Sequence, residues 1–234
     1  MSGVNGAIGA ALRAHLEAFA ASARESVASA GISAASQTFT AASAIFSDFR
    51  QGDSIIVTGF ASPANNGDFI VTAATATSLT VAGDLTTEGA GATVIIEARQ
   101  VPEGRIAWEN EGFDPNSEED PYLAGTLWLR PTLLPGWPTQ ATMGDAGFNR
   151  QVGLYQVSLF WPKYEGTTAA QALADALASW FKRGTTLTNG TTSVHVTAAG
   201  SEAAGFGTVT EEQQMAAWHH VPIRIGYQAM TMNT

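Results

Sequence analysis

The chain of 234 residues contains no cysteine, which removes disulfides and thiolate metal sites together. Charge is also scarce. Only 14% of residues are Asp, Glu, Lys or Arg, and 11 bases stand against 21 acids, for a formal charge of −10. A surface so short of Lys and Arg gains little from releasing counterions, so tight binding to nucleic-acid phosphates is not expected. DNA passing along such a surface without being held is compatible with it. No run reaches the ~20 apolar residues that span a bilayer, so no membrane role is expected. The N-terminus lacks a cationic cluster, and Arg13, His15 and Glu17 interrupt its apolar run, against a signal peptide. A cytoplasmic place of assembly fits these absences. Hydrophobic residues make up 45% of the chain, enough for a sizeable core. Low surface charge then fits a subunit whose surface is shared with neighbours, because a free monomer ordinarily needs more.

Catalytic patterns are missing as well. There is no G-x-x-x-x-G-K-[ST] phosphate loop and no G-x-S-x-G elbow, and Gly3, Gly6 and Gly9 follow no strand. Asp114, Asn116 and Glu118 alternate like the start of a calcium loop, but the sixth position lacks glycine and the twelfth is Gly125. That segment is better taken as a solvated acidic loop. Adjacent His219 and His220 point to opposite faces if they lie on a strand, which argues against a metal pair. Asn189-Gly190-Thr191 fits a glycosylation acceptor, but Asn-Gly is more simply a tight turn. No catalytic residue, metal ligand or cofactor site is therefore expected, and the chain is not expected to be an enzyme.

What the sequence does contain is periodicity. Ile8, Leu12, Leu16 and Phe19 predict a helix over residues 5–29, with Asn5 as N-cap and Gly31 as the stop. Residues 36–98 carry one base, Arg50, and the short apolar runs SIIVTGF, DFIVTAAT, SLTVAG and TVIIEA, separated by turns such as Asn65-Asn66-Gly67. They predict a small all-β domain over 36–99, inserted into a larger domain of 1–35 and 100–234. In the larger domain, residues 105–108 and 122–134 predict strands, the second placed at a sheet edge by Pro131. Residues 136–147 read as a loop. Tyr155, Val157, Leu159 and Trp161 alternate, as do Val221, Ile223, Ile225 and Tyr227. Residues 168–183 predict a helix with Thr168 and Gln171 as a capping box and Leu173, Leu177, Trp180 and Phe181 as its buried stripe. The expected class is α+β: a mainly antiparallel sheet with two helices on one side, plus the inserted β domain. Trp137, Met143 and Phe148 lie in or beside the Pro- and Gly-rich loop, where either packing back on the sheet or a subunit contact accounts for them. Aromatics and Met are enriched at interface cores, which makes these three the candidate subunit-interface residues.

The order of segments RIAWEN, an acidic Pro-bounded stretch, PYLAGTLWLRPTLLP, RQVGLYQVSLFWP, TTAAQALADALASWFKRG, TSVHV and WHHVPIRIGYQAM resembles the tail terminator family of long-tailed, lambda-type phages. The resemblance spans residues 105–230 and the first helix. It implies a structural virion protein that forms a ring, hexameric in the family, at the head-proximal end of the tail. Such a ring caps the tail tube and offers the head–tail joining surface, so the implied partners are further copies of the chain, the tube protein and the head–tail connector. DNA would pass through the ring without specific binding. A tail tube or head–tail connector protein is the alternative, and an enzyme or binding module with a concealed pocket is a more distant one. In residues 36–99, F-x-x-GD at 49–53, V-x-GF at 57–60 and NNG-x-F at 65–69 resemble small β modules of other phage tail proteins.

Overall fold

The computed structural model describes residues 4–109, 111–114, 126–143, 147–162, 167–201 and 218–232. The acidic residues at 115–120, singled out in the sequence, lie outside them, as do residues 202–217. The described residues are predominantly β, with 54% of them in strands and 17% in helices, which corrects the α+β expectation. Two segments account for much of the difference. The first helix, α1 (Val4–Ala21), ends eight residues early, and the alanine-rich stretch beyond it becomes β1 (Ala23–Ser29) and leads into β2 (Ile32–Ala41). The expected loop after residue 136 is instead partly strand. Alanine has the highest helix propensity, but a short helix with no apolar face to bury is marginal even when alanine-rich, and tertiary strand pairing overrides it.

The chain forms two compact units: Met1–Phe19 with Ile106–Phe113 and Leu127–Thr234, and Ala20–Arg105 with Asp114–Thr126. The second unit holds β1, β2, β3 (Ser54–Thr58), β4 (Gly67–Ala74), β5 (Ser78–Glu88) and β6 (Val94–Arg99) in one antiparallel sheet of order β1-β6-β3-β4-β5-β2. Its strands share a core that includes Ile32, Phe39, Ile55, Val57, Val71, Leu79 and Ile96, so the sheet curls round its own apolar side. Asn65 is fully buried: its amide donates to Thr86 O at 2.9 Å and to Glu88 Oε2 at 3.1 Å. Its oxygen accepts from Thr86 N–H at 2.8 Å. Backbone N–H groups of Ser62 and Ala61 hold the Glu88 carboxyl below its ordinary pKa. The Asn65-Asn66-Gly67 segment is thus the end of a short 3-10 turn stitched to β5 rather than a plain hairpin.

The first unit is built on a second antiparallel sheet, of order β7-β8-β11-β10-β9. Its strands are β7 (Trp128–Gln140), β8 (Phe148–Pro162), β9 (Thr186–Asn189), β10 (Thr192–Ser201) and β11 (Trp218–Met232). β8 and β11 pair along their whole length, from Trp218 opposite Pro162 to Met232 opposite Phe148. Pro131, Pro135 and Pro138, which have no N–H to give, all lie on the edge strand β7. Gly190 has φ 57° and sits in the tight turn that pairs Asn189 with Thr192, consistent with the turn reading there.

One face of this sheet buries Tyr155, Val157, Leu159, Val221, Ile223, Ile225 and Tyr227. α1 contributes Ile8, Leu12, Leu16 and Phe19 to the core, and the second helix, α2 (Thr168–Trp180), contributes Ala170, Leu173, Ala174 and Leu177. The expected capping box does not form. The cap is Thr167, with no side-chain cap bond, and the Gln171 amide donates to Asp175 Oδ1 at 3.0 Å. Nor does Trp180 join the buried stripe fully: it is 38% exposed, and its indole N–H donates to His15 O at 3.1 Å. His15 Nε2 lies 3.3 Å from Trp180 O, so the two helices clasp each other reciprocally.

Burial of His15 in that clasp makes stability pH-dependent. Burial pulls the His15 imidazole below its ordinary value of 6.5, and the hydrogen bond to Trp180 offsets this only in part. The unfolded chain therefore takes up the proton first. His15's contribution is intact above about pH 6.5 and is lost as pH falls through the lower folded value. Urea unfolding at stepped pH is expected to show a midpoint that drops between pH 7 and 5, with a shallower drop in His15→Gln. Parallel slopes for the two proteins would remove His15 from the account.

Candidate assembly surface

The β7–β8 hairpin carries the candidate residues. Its register runs evenly from Trp128 opposite Phe160 to Pro135 opposite Gly153, then resumes at Pro138 opposite Gln151. Gly136 and Trp137 on β7 therefore face the single residue Val152 on β8, which is a β-bulge. Glycine is needed there, because a Cβ on Gly136 would stand 2.3 Å from Val152 O. The bulge re-aims the strand and leaves Trp137 91% exposed. Met143, in the connection, is 96% exposed, and Phe148, at the start of β8, is 37% exposed. Ala141 N–H donates to Phe148 O at 2.8 Å, and Phe148 N–H to Thr142 Oγ1 at 2.6 Å, closing the tip beside Met143.

All three candidate residues thus lie on one hairpin, which extends further as paired strand than the loop expected for 136–147. Trp137 and Met143 are held in solvent in the single subunit and do not pack back on the sheet there. A cavity of about 420 Å³ opens beside the bulge, lined by Trp137, Pro135, Pro138, Gln151 and Thr231 among others. Gln151 is 3% exposed and braces its floor, donating to Gly136 O at 2.7 Å and to Asn5 Oδ1 at 2.9 Å. Asn5 therefore lies inside α1 and serves the sheet, where a cap was expected.

Two further exposed apolar residues, Leu134 (48%) and Val152 (53%), belong to the same end of the sheet. Sequence reading missed them, although the signal was present: both sit at alternation positions opposite to the buried set that includes Tyr155 and Val157. At the far end of that face an aromatic row crosses three strands. Trp128 stacks on Phe160 at 3.8 Å and 4°, and Phe160 stacks on His220 at 4.9 Å and 23°. These three are register partners, so the row follows from the strand pairing. His219 falls opposite Trp161 and His220 opposite Phe160, on alternate faces, as expected for adjacent strand residues.

Burial raises the Tyr155 and Tyr227 hydroxyls above the ordinary value of 10 and lowers the His220 imidazole. Among the described residues no cluster of three His, Asp or Glu side chains could hold a metal ion, and no helix is long and apolar enough to cross a membrane.

Curated proteins show no match to the chain. One solved structure is similar at 26% identity, covering 53% of this chain and 78% of the other, with a TM-score of 0.38. The family model described as phage tail terminator protein matches residues 90–227, which take in α2 and nearly all of the β7–β11 sheet but only the last strand of the six-stranded one. By that match the chain belongs to the phage tail terminator protein family, a family of structural components of the phage tail.

Proposed function

We propose that the protein is the ring-forming subunit that caps the tail tube at its head-proximal end and provides the head–tail joining surface. The observation that carries this beyond family membership is the bulged hairpin, with Trp137 91% and Met143 96% exposed. An isolated subunit gains nothing from holding these side chains in water, whereas aromatic and Met anchors dominate interface cores. Closure supplies the mechanism. A heterologous contact whose rotation closes gives a ring, and a ring face that matches the last tube layer but cannot receive another ends polymerisation. The partners are then further copies of this chain, the tube protein and the head connector, with DNA passing through the lumen unheld. The role is structural, assembled in the host cytoplasm, with no catalytic step.

Five of the six strands of the small β unit lie outside the family match, and we read that unit as an insertion in the terminator chain. Native mass measurement and negative-stain imaging of the purified protein are expected to show closed rings of one size, six subunits, alone or at tube ends. Open-ended tubes growing from this protein alone would favour a tube protein. A monomer at every concentration, even beside tail tubes, would defeat the ring.

A further inference from the structure

We infer that the helix-free face of the β7–β11 sheet is a cationic docking surface for the acid-rich surface of a second copy, joined head to tail; this rests on the ring reading above. The five strands contain Arg130, Arg150 and Arg224 and not one Asp or Glu. Register places all three arginines on one side. Arg130 lies opposite Ser158, Arg224 opposite Gln156, and Arg150 shares the parity of Gln156 and Ser158 on β8. The alternate positions of β8, Tyr155, Val157 and Leu159, are buried on the other side. All three arginines are exposed, and neither Arg130 nor Arg150 meets a carboxylate among the described residues.

Charge is therefore segregated. The rest of the chain holds all 21 acids and only eight of the 11 bases. Arg13, Arg24 and Arg99 among those eight are already tied to acids: Arg13 to Glu17 at 2.9 Å and Glu111 at 2.7 Å, Arg24 to Asp53 at 2.5 Å and Arg99 to Asp68 at 2.6 Å. A face with arginine, no lysine, and exposed Leu134 and Val152 between the charges has the composition of a protein interface. A phosphate backbone would offer nothing to the leucine and valine. A two-fold contact would set arginine against arginine with no acid to compensate, since an isologous interface meets itself. The partner surface must then be a different part of the neighbouring copy, which is the polarity a closed ring requires. Electrostatic complementarity of this kind fixes register and partner choice.

The test is Arg130→Glu with Arg150→Glu in the full chain. Both side chains are exposed, so melting should match wild type; Arg130→Ala with Arg150→Ala serves if the reversed pair does not fold. Wild-type rings are expected to dissociate as salt rises. The reversed pair should need about tenfold or more protein to assemble, or remain monomeric. It keeps the acidic surface, so a minority added to wild type should end growing arcs and yield short open oligomers. Wild-type rings with unchanged variant rings would overturn this inference and leave the ring reading standing, whereas absence of wild-type rings would remove both. Unchanged rings combined with lost retention of duplex DNA by the variant would assign the face to nucleic acid and overturn the protein contact.

Discussion

Trp137→Ala is expected to disperse the rings into smaller species while leaving the melting temperature of the subunit within error. The indole is 91% exposed on the β7 bulge, so its removal takes almost nothing from the monomer core, and surface substitutions of this kind stay within about 0.5 kcal/mol. In an assembled ring the same group would be a buried aromatic anchor, where truncation costs about 2 kcal/mol or more per contact, roughly 30-fold in each contact's dissociation constant. A closed ring repeats that loss at every interface, so the effect on assembly far exceeds the effect on folding. Adding Met143→Ala should deepen it, since Met143 is 96% exposed on the same hairpin. Sedimentation across a concentration series, with calorimetry on the same samples, reads both quantities. Intact rings in the double variant would place the subunit contact elsewhere. A lower melting temperature with no change in rings would mean that the hairpin supports the monomer.

The strands of the five-stranded sheet were legible because their chemistry is local. Alternation at Tyr155, Val157, Leu159 and at Val221, Ile223, Ile225 sets the buried face, and Pro131 marks the edge strand that β7 proves to be. The stripe of α1 was equally clear. Its end was not, because residues 23–29 carry a pattern that reads as helix until a partner is known. That partner is β6, which pairs Ala23 through Ser29 with Arg99 through Val94, a contact some seventy residues away in sequence. The bulge was hidden for a similar reason. Gly136 looks like a loop glycine, and only the register of β8 shows that Val152 O fills the space where a side chain would go. Trp137 and Met143 could be named from loop composition, but Leu134, Val152 and the shared side of Arg130, Arg150 and Arg224 required the pairing of β7, β8 and β11. Sequence periodicity shows which residues share a strand face; sheet order decides which strands stand side by side.

Excision of residues 23–99 is expected to leave a chain that folds. Gln100 N–H donates to Ser22 O at 2.9 Å and Val101 N–H to Ala20 O at 3.2 Å, so the strands entering and leaving the small β unit run side by side at its base. A two-residue Asn-Gly turn can therefore join Ser22 to Gln100 without strain. Cutting at 36 and 99 instead would strand β1, which pairs with β6, and the first four residues of β2, which pairs with β5. What is removed takes its own core with it, including Phe39, Ile55, Val57, Leu79 and Ile96. A unit with a core of its own contributes few contacts to its host. The shortened protein should unfold in a single cooperative transition, with a smaller denaturant slope in keeping with the smaller surface exposed. It retains α1, α2 and the whole β7–β11 sheet, so it should also still assemble if the hairpin and the arginine face make the contacts. Non-cooperative melting of the excised protein would mean that the small unit belongs to the main core. A folded but monomeric product would move an essential ring contact onto the small unit.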